Sequence, residues 1–305
     1  MDILNIEHLS KSFGTNNVID DLSFSVPENS IFGFIGQNGA GKTTTMKMVL
    51  GLLKATSGKI NVCGEQVTYG QNKTNKYIGY LPDVPEFYGY MKPFEYLKLC
   101  GEITGLSENK IKSRSEELLV LVGLNKFNKR IGGFSRGMKQ RLGIAQALLN
   151  EPRLLICDEP TSALDPVGRK EILDILHKVK GKTTVLFSTH ILSDVERICD
   201  NIAVLHGGKL ALCGTLSEVK SQHKQDGLLV EFASQVDKQQ FMTSHSLASL
   251  MTNVEVTNTS IIFHTHDIEK TEMAVISAFT ETKILPIRLE VLEPTLESLF
   301  MEVVK

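Results

Sequence analysis

No run of apolar residues in this chain approaches the roughly 20 that a membrane-crossing helix needs, so a spanning segment is not expected. The opening residues MDILNIEHLSK carry acids where a secretory leader carries bases, and a cytosolic chain is expected on that ground. An excess of one charge is missing too. Lys plus Arg total 33 against 35 for Asp plus Glu, a net charge of -2. That balance supplies no basic field for nucleic acid, and no nucleic-acid partner is expected. Cysteine is sparse and unpatterned: Cys63, Cys100, Cys157, Cys199 and Cys213 are odd in number and contain no CxxC pair. This excludes a disulfide framework and a zinc site of the usual spacing, and the five are read as buried thiols in a reducing compartment.

What remains is a chain of 305 residues, 42% of them hydrophobic, enough for one large domain and a smaller one. Residues 3–9 and 22–26 alternate like strands. IFGFI, 31–35, is a short apolar run ending at Gly36, as a buried strand feeding a loop would. Residues 42–53 are helical in pattern. KINVCG and KYIGYLP add strand-like runs before Pro82 and Pro85. A helical insert is expected over about 84–149. Strands return at 154–157, 184–188 and 202–205, alternating with helices at 166–180 and 191–200. The expected fold class is therefore α/β with a layered sheet over 1–220. From 221 the order becomes βαββαβ, a small α+β ferredoxin-like domain over 221–305, closed by a helix entered at Pro294 whose Leu296, Leu299, Phe300 and Val303 form an apolar stripe. The polar spacer SQHKQDG, 221–227, is the expected junction.

Two motifs carry chemistry. GQNGAGKT, Gly36 to Thr43, follows a strand and precedes a helix, and matches the P-loop (Walker A) pattern. Gly36, Gln37, Asn38, Gly39, Ala40 and Gly41 would curl backbone N–H groups around nucleotide phosphates. Lys42 would reach the outer oxygens, Thr43 would ligate Mg2+, and Thr44 would add a contact to an inner phosphate. RLLICDEP, 153–160, is an apolar strand ending in two acids. Asp158 would hold Mg2+ through its water shell, and Glu159 would orient or deprotonate an attacking water. ATP and Mg2+ are the expected cofactors.

A third stretch, GGFSRGMKQR at 132–141, opens an amphipathic helix with a hydroxyl and free N–H groups but no Lys-Thr pair. It resembles the signature of ATP-binding-cassette (ABC) ATPases, usually Leu-Ser-Gly-Gly-Gln, with Phe134, Ser135, Arg136, Gly137 and Met138 at those positions. The resemblance spans roughly 1–220. It implies a P-loop ABC ATPase core whose copies pair head to tail as a homodimer, with Ser135 and Gly137 of one chain facing ATP on the other. It implies further that Asp165 in SALD crosses that interface, that His190 in STH contacts the γ-phosphate, and that Phe13 stacks on adenine. Glu159, His190 and Lys42 are then the catalytic set.

Two positions depart from the family pattern. Asp83 stands where Gln is usual, an acid that can still approach Mg2+ or its waters, and Arg136 and Met138 replace the usual signature residues. Arg136 is either a cation near phosphate or a solvated side chain. Both departures resemble the exporter ATPases of bacitracin and lantibiotic resistance and drug efflux, which implies a separate membrane-spanning permease subunit and a place on the inner face of the cell membrane. Phe87, Tyr88, Tyr90 and Met91 are candidates either for contact with that permease or for packing within the insert. His264 and His266 have ligand-like spacing but no third ligand. The competing readings are a non-transport ABC ATPase and a nucleotide-sensing regulator. The short insert and single cassette argue against the first, and Glu159 with His190 against the second.

Overall fold

The computed structural model describes residues 2–71, 73–222, 226–248, 250–251, 253–265, 267–292, 296–297 and 299–300. Contacts divide the chain into two units, Met1–Leu216 and Ser217–Lys305.

The first unit is built on two sheets. Strands β1 (Asp2–Phe13) and β2 (Asn16–Pro27) form an antiparallel hairpin, widened by β4 (Ser57–Val62) and the short β5 (Glu65–Gln66) in the order β2-β1-β4-β5. The second sheet holds β3 (Ile31–Gly36), β6 (Ile78–Leu81), β7 (Leu154–Asp158), β8 (Thr184–Thr189), β9 (Asn201–His206) and β10 (Lys209–Thr215). Its order is β10-β9-β3-β8-β7-β6. All its pairings are parallel except that of β10. Every residue of β3, β7 and β8 is buried, which is why these strands read as continuous apolar runs rather than alternating ones. Between the sheets, Phe24 of β2 stacks on Phe32 and Phe34 of β3 at ring separations of 5.6 and 5.3 Å. Met46 and Val49 of α1 (Lys42–Val49) pack into the same core.

The insert between β6 and β7 contributes α2 (Pro93–Ile103), α3 (Glu108–Leu121) and α4 (Arg136–Leu148). Pro93 fits the first turn of α2, where its missing N–H costs nothing, and the Glu95 carboxylate accepts the Lys92 N–H at 2.8 Å. Helix α4 lies directly against β6: a Cβ on Gly79 would fall 2.1 Å from the Ala147 carbonyl, and one on Gly143 would fall 2.5 Å from Leu81 Cδ1. Helices α5 (Pro166–Val179) and α6 (Leu192–Ile198) follow β7 and β8. The sequence pattern did not anticipate β5 and β10, which lie at the sheet edges and are half exposed.

After α7 (Leu216–Gln222), the second unit contains β11 (Asp226–Glu231), α8 (Gln235–Phe241), β12 (Val254–Val256), β13 (Ser260–Thr265), α9 (Ile268–Thr282) and β14 (Arg288–Leu292). Its strands are all antiparallel in the order β12-β13-β11-β14, the split βαβ arrangement. Leu228, Val230, Ile261 and Phe263 from one sheet face pack with Phe241, Val275 and Ala278 of the helices. Residues 296–297 and 299–300 are helical, with Leu296 and Leu299 buried. Pro294 and Val303 of the expected terminal helix, residues 223–225 of the spacer and His266 lie outside the described residues. Among the described residues no three His, Cys, Asp or Glu side chains gather as a metal site.

The contact of α4 with β6 leaves no room at Gly79. Gly79→Ala is expected to cost about 1–3 kcal/mol through forced displacement of the helix backbone, read as a lower unfolding midpoint by circular dichroism.

Candidate active site

The loop leaving β3 is shaped by two glycines. Gly39 and Gly41 have φ of 82° and 108°, conformations that side-chain-bearing residues rarely adopt. At Gly41 a Cβ would also strike Ile19 Cδ1 at 2.3 Å. The turn delivers the chain into α1 at Lys42, so the free N–H groups and positive dipole end of the helix face the loop interior, a setting suited to phosphate. Lys42 is only 5% exposed; its Nζ donates to the carbonyls of Gly36 at 2.6 Å and Gln37 at 3.2 Å.

The acids arrive from β7. Asp158 is paired in register with Ser188 of β8. The Ser188 hydroxyl donates to Asp158 Oδ1 at 2.7 Å and accepts the Glu159 N–H at 3.1 Å. Thr43 Oγ1 donates to Asp158 Oδ2 at 2.8 Å, joining the start of α1 to the end of β7. These two adjacent oxygens form a hard donor set that fits Mg2+, an ion that prefers one or two protein oxygens plus phosphate and water. Glu159 departs from the strand with φ of 48°, a left-handed turn uncommon for a side-chain-bearing residue. That turn places its carboxylate between two nitrogens, with Oε1 3.1 Å from Lys42 Nζ and Oε2 2.9 Å from His190 Nδ1. Because an ionised carboxylate only accepts, His190 carries the proton on Nδ1 in this contact.

Lys42, Thr43, Asp158, Glu159 and His190 border one cavity of 380 Å³, together with Asn38, Gly39, Gly41, Thr44, Asp83 and Ser162. A larger cavity of 640 Å³, lined by Arg114, Leu118, Glu151 and Lys182 among others, contains none of these groups. Ala40 lies within the turn, its N–H donating to the Gln37 carbonyl at 3.1 Å. Of the expected nucleotide contacts, Gly36, Gln37 and Ala40 of the loop, and Ser135, Gly137 and Phe13 elsewhere, do not border the cavity. Ser135 caps α4, accepting the Met138 N–H at 3.2 Å, with Gly137 in the first turn beyond it. Phe13 is half exposed, with the Lys11 ammonium 4.5 Å from its ring centroid, a cation–π contact. Asp83 reaches the cavity rim, but its carboxylate is engaged by Arg136 at 3.1 Å. Asp165 caps α5, accepting the Gly168 N–H at 3.2 Å.

Sequence reasoning missed Ser188, whose signal is a hydroxyl directly after the apolar run VLF of the strand TVLFST, and Gln140, a buried amide in α4 that donates to the Asp83 carbonyl at 2.6 Å. It also missed Asp194, in the helix after His190. This acid is 2% exposed, and burial pushes its carboxyl above the usual range despite Arg169 Nε at 4.0 Å. Ser188→Ala strips a hydrogen bond from a buried carboxylate and another from the Glu159 N–H. It is expected to lower the unfolding free energy by about 1.5–3 kcal/mol, measured by denaturant titration.

With this geometry in place, comparison with known proteins is direct. The family model described as ABC transporter matches residues 19–162. An uncharacterized ABC transporter ATP-binding protein of Bacillus subtilis (strain 168), YxlF, is 46% identical over 73% of this chain and 74% of its own length. The bacitracin transport ATP-binding protein BcrA of Bacillus licheniformis is 40% identical over 75% and 74%. The linearmycin resistance ATP-binding protein LnrL of Bacillus subtilis is 32% identical over 98% and 97%, so its similarity extends through the second unit. A solved ATP-binding subunit of an ABC transporter superposes with a TM-score of 0.65 at 35% identity, covering 72% of this chain and 92% of that one. Likeness of this depth, in sequence and in fold, means that the chain belongs to the ATP-binding proteins of ABC transporters, a family that hydrolyses ATP.

Proposed function

We propose that the cavity between residues 36–43 and the acid pair takes Mg2+·ATP, and that Glu159 is the general base for its hydrolysis. The observation that carries this reading is the placement of Glu159 between Lys42 and His190. A γ-phosphate entering the loop offers Lys42 a more highly charged partner than one carboxylate oxygen. As the ammonium turns to it, Glu159 loses its strongest neutralising contact and becomes free to accept a proton from water. That water attacks the γ-phosphorus, the bond to the β–γ bridging oxygen breaks, and ADP leaves with the electron pair. His190 keeps hold of Oε2 throughout and fixes the direction of the carboxylate. Bound through Thr43 and Asp158, Mg2+ would neutralise charge on the outer phosphates.

Ser135 and the N–H groups at the start of α4 point to a phosphate outside their own cavity. The reading they support is a head-to-tail homodimer in which each signature turn closes on ATP held by the other chain. The work is coupled to a separate permease, with the chain peripheral on the inner membrane face. Two features support that coupling: no described helix is long and apolar enough to cross a membrane, and Tyr88 and Tyr90, in the segment after Asp83, are exposed at 55% and 70%. The bacitracin and linearmycin relatives support export of an antibiotic, peptide or other amphipathic compound. Residues 217–305, which contribute none of the groups above, are assigned to assembly or to permease contact.

Glu159→Gln is expected to bind ATP normally while turnover falls about 10²–10⁴-fold, the usual range for loss of a general base, and to accumulate an ATP-bound dimer on size-exclusion chromatography. Lys42→Ala differs in losing affinity as well as rate, which equilibrium binding of a fluorescent ATP analogue distinguishes. Steady-state hydrolysis at the parent rate in Glu159→Gln would remove Glu159 from this role. Ser135→Arg is expected to bind ATP as a monomer but to fail in both dimer formation and hydrolysis. Dimerisation at the parent ATP concentration would place Ser135 outside the interface.

A further inference from the structure

Asp83 and Arg136, two of the residues at which this sequence departs from its family's pattern, touch each other. Arg136, the first residue of α4, sets Nη2 3.1 Å from Asp83 Oδ1, although 53 positions separate them in the chain. Residue 83 is fastened to the same helix a second time: fully buried Gln140, one turn further along, donates Nε2 to the Asp83 carbonyl at 2.6 Å. Positions four apart share a helix face, so main chain and side chain of one loop residue are both held by one side of α4. The loop itself starts beside the acids, because Leu81 pairs in register with Cys157, the residue before Asp158.

Asp83 also borders two cavities. One is the phosphate-loop cavity; the other, of 420 Å³, it shares with Arg136 and Lys139. It is thus a divider between its own chain's nucleotide site and the mouth of the signature turn, where Glu86 also lies. The charge arrangement is uneven. A cation in the first turn lies at the wrong end of the helix dipole, and Lys139 adds to the local positive charge. Asp83 offsets both. Yet the pair is 42% and 45% exposed, a setting in which an ion pair adds little to folding. A contact so exposed, and worth so little to stability, is readily exchanged for another anion. Phosphate engages a guanidinium through two parallel N–H donors, as a carboxylate can, and on ATP carries a larger charge.

We propose that Asp83 is a positioning residue, the resting counter-ion of Arg136, and that phosphate of ATP held by a second copy of this chain displaces it. The exchange frees the Asp83 carboxylate at the rim of its own cavity, so that docking at one nucleotide site alters the loop that flanks the other. The inference rests on the head-to-tail reading above and adds to it a specific competition between carboxylate and phosphate for one guanidinium.

The competition has a sign that a merely structural role would not produce. In the Glu159→Gln background, the ATP concentration giving half-maximal dimer is read by light scattering for the parent, Asp83→Asn, Arg136→Gln and the double variant. Asp83→Asn, which removes the competitor, is expected to lower that concentration several-fold. Arg136→Gln is expected to raise it several-fold, and adding Asp83→Asn to Arg136→Gln is expected to change nothing further. Unfolding midpoints within a degree or two of the parent would show that folding is intact. An equal effect of Asp83→Asn with and without Arg136, or an increase in the ATP required, would overturn the pairing while leaving the dimer standing. A Glu159→Gln parent that stays monomeric at saturating ATP would overturn the head-to-tail reading itself, and the competition with it.

Discussion

The register of three parallel strands holds the site together. Ile35 of β3 faces Thr189 of β8, and Ser188 of β8 faces Asp158 of β7. This brings the mouth of the phosphate loop, the acid pair and the segment leading to His190 to one edge of the sheet, the carboxyl edge where open α/β sheets bind ligands. A slip of one residue in β8 would turn Ser188 to the opposite face, leaving Asp158 Oδ1 and the Glu159 N–H without the hydroxyl that joins them. Because the three strands are buried on both faces, the register is enforced by packing well away from the polar groups, and the polar groups are placed by it.

Charge at that edge is arranged as a short chain: Lys42, Glu159 and His190 in one line, and Thr43, Asp158 and Ser188 in another. Burying such groups is unfavourable unless each finds a partner. Here the partners are largely one another, at 5% side-chain exposure for Lys42 and 14% for Glu159. The polar groups of the free site are thus hydrogen-bonded or ion-paired to one another, and a ligand must compete with existing contacts. The same logic recurs on the surface at Arg136, where the partner is weaker and more exposed.

What the sequence made legible was whatever is local along the chain. The phosphate loop is eight consecutive residues bounded by a strand and a helix, and its glycines report backbone conformations directly. The run LLICDE announces a buried strand and the acids at its end. The βαββαβ order of the second unit follows from periodicity alone. Contacts between distant segments were hidden. Nothing in a single chain links Asp83 to Arg136, and Ser188 passes for an ordinary strand residue until β7 is laid beside it. The edge strands β5 and β10 escaped because β5 is only two residues long and β10 is a short, half-exposed segment directly after the turn at Gly207 and Gly208. The division between units, expected at 220, falls at Leu216, inside a segment with no compositional break. Ser135 and Phe13 stand apart from the cavity for a related reason: the resemblance assigns them contacts with a nucleotide and a second chain, and neither kind of contact is encoded in one chain's periodicity.

Cys157 immediately precedes the acid pair and is completely enclosed in β7. Burial, reinforced by the neighbouring Asp158 carboxylate, pushes its thiol far above the ordinary range. Since oxidants and alkylating agents react with the thiolate, a sulfur atom this deeply enclosed, one residue from Asp158, is poorly placed to react in the folded chain. Thiol reagents are expected to reach it only on unfolding, so labelling at Cys157 reports the integrity of the sheet.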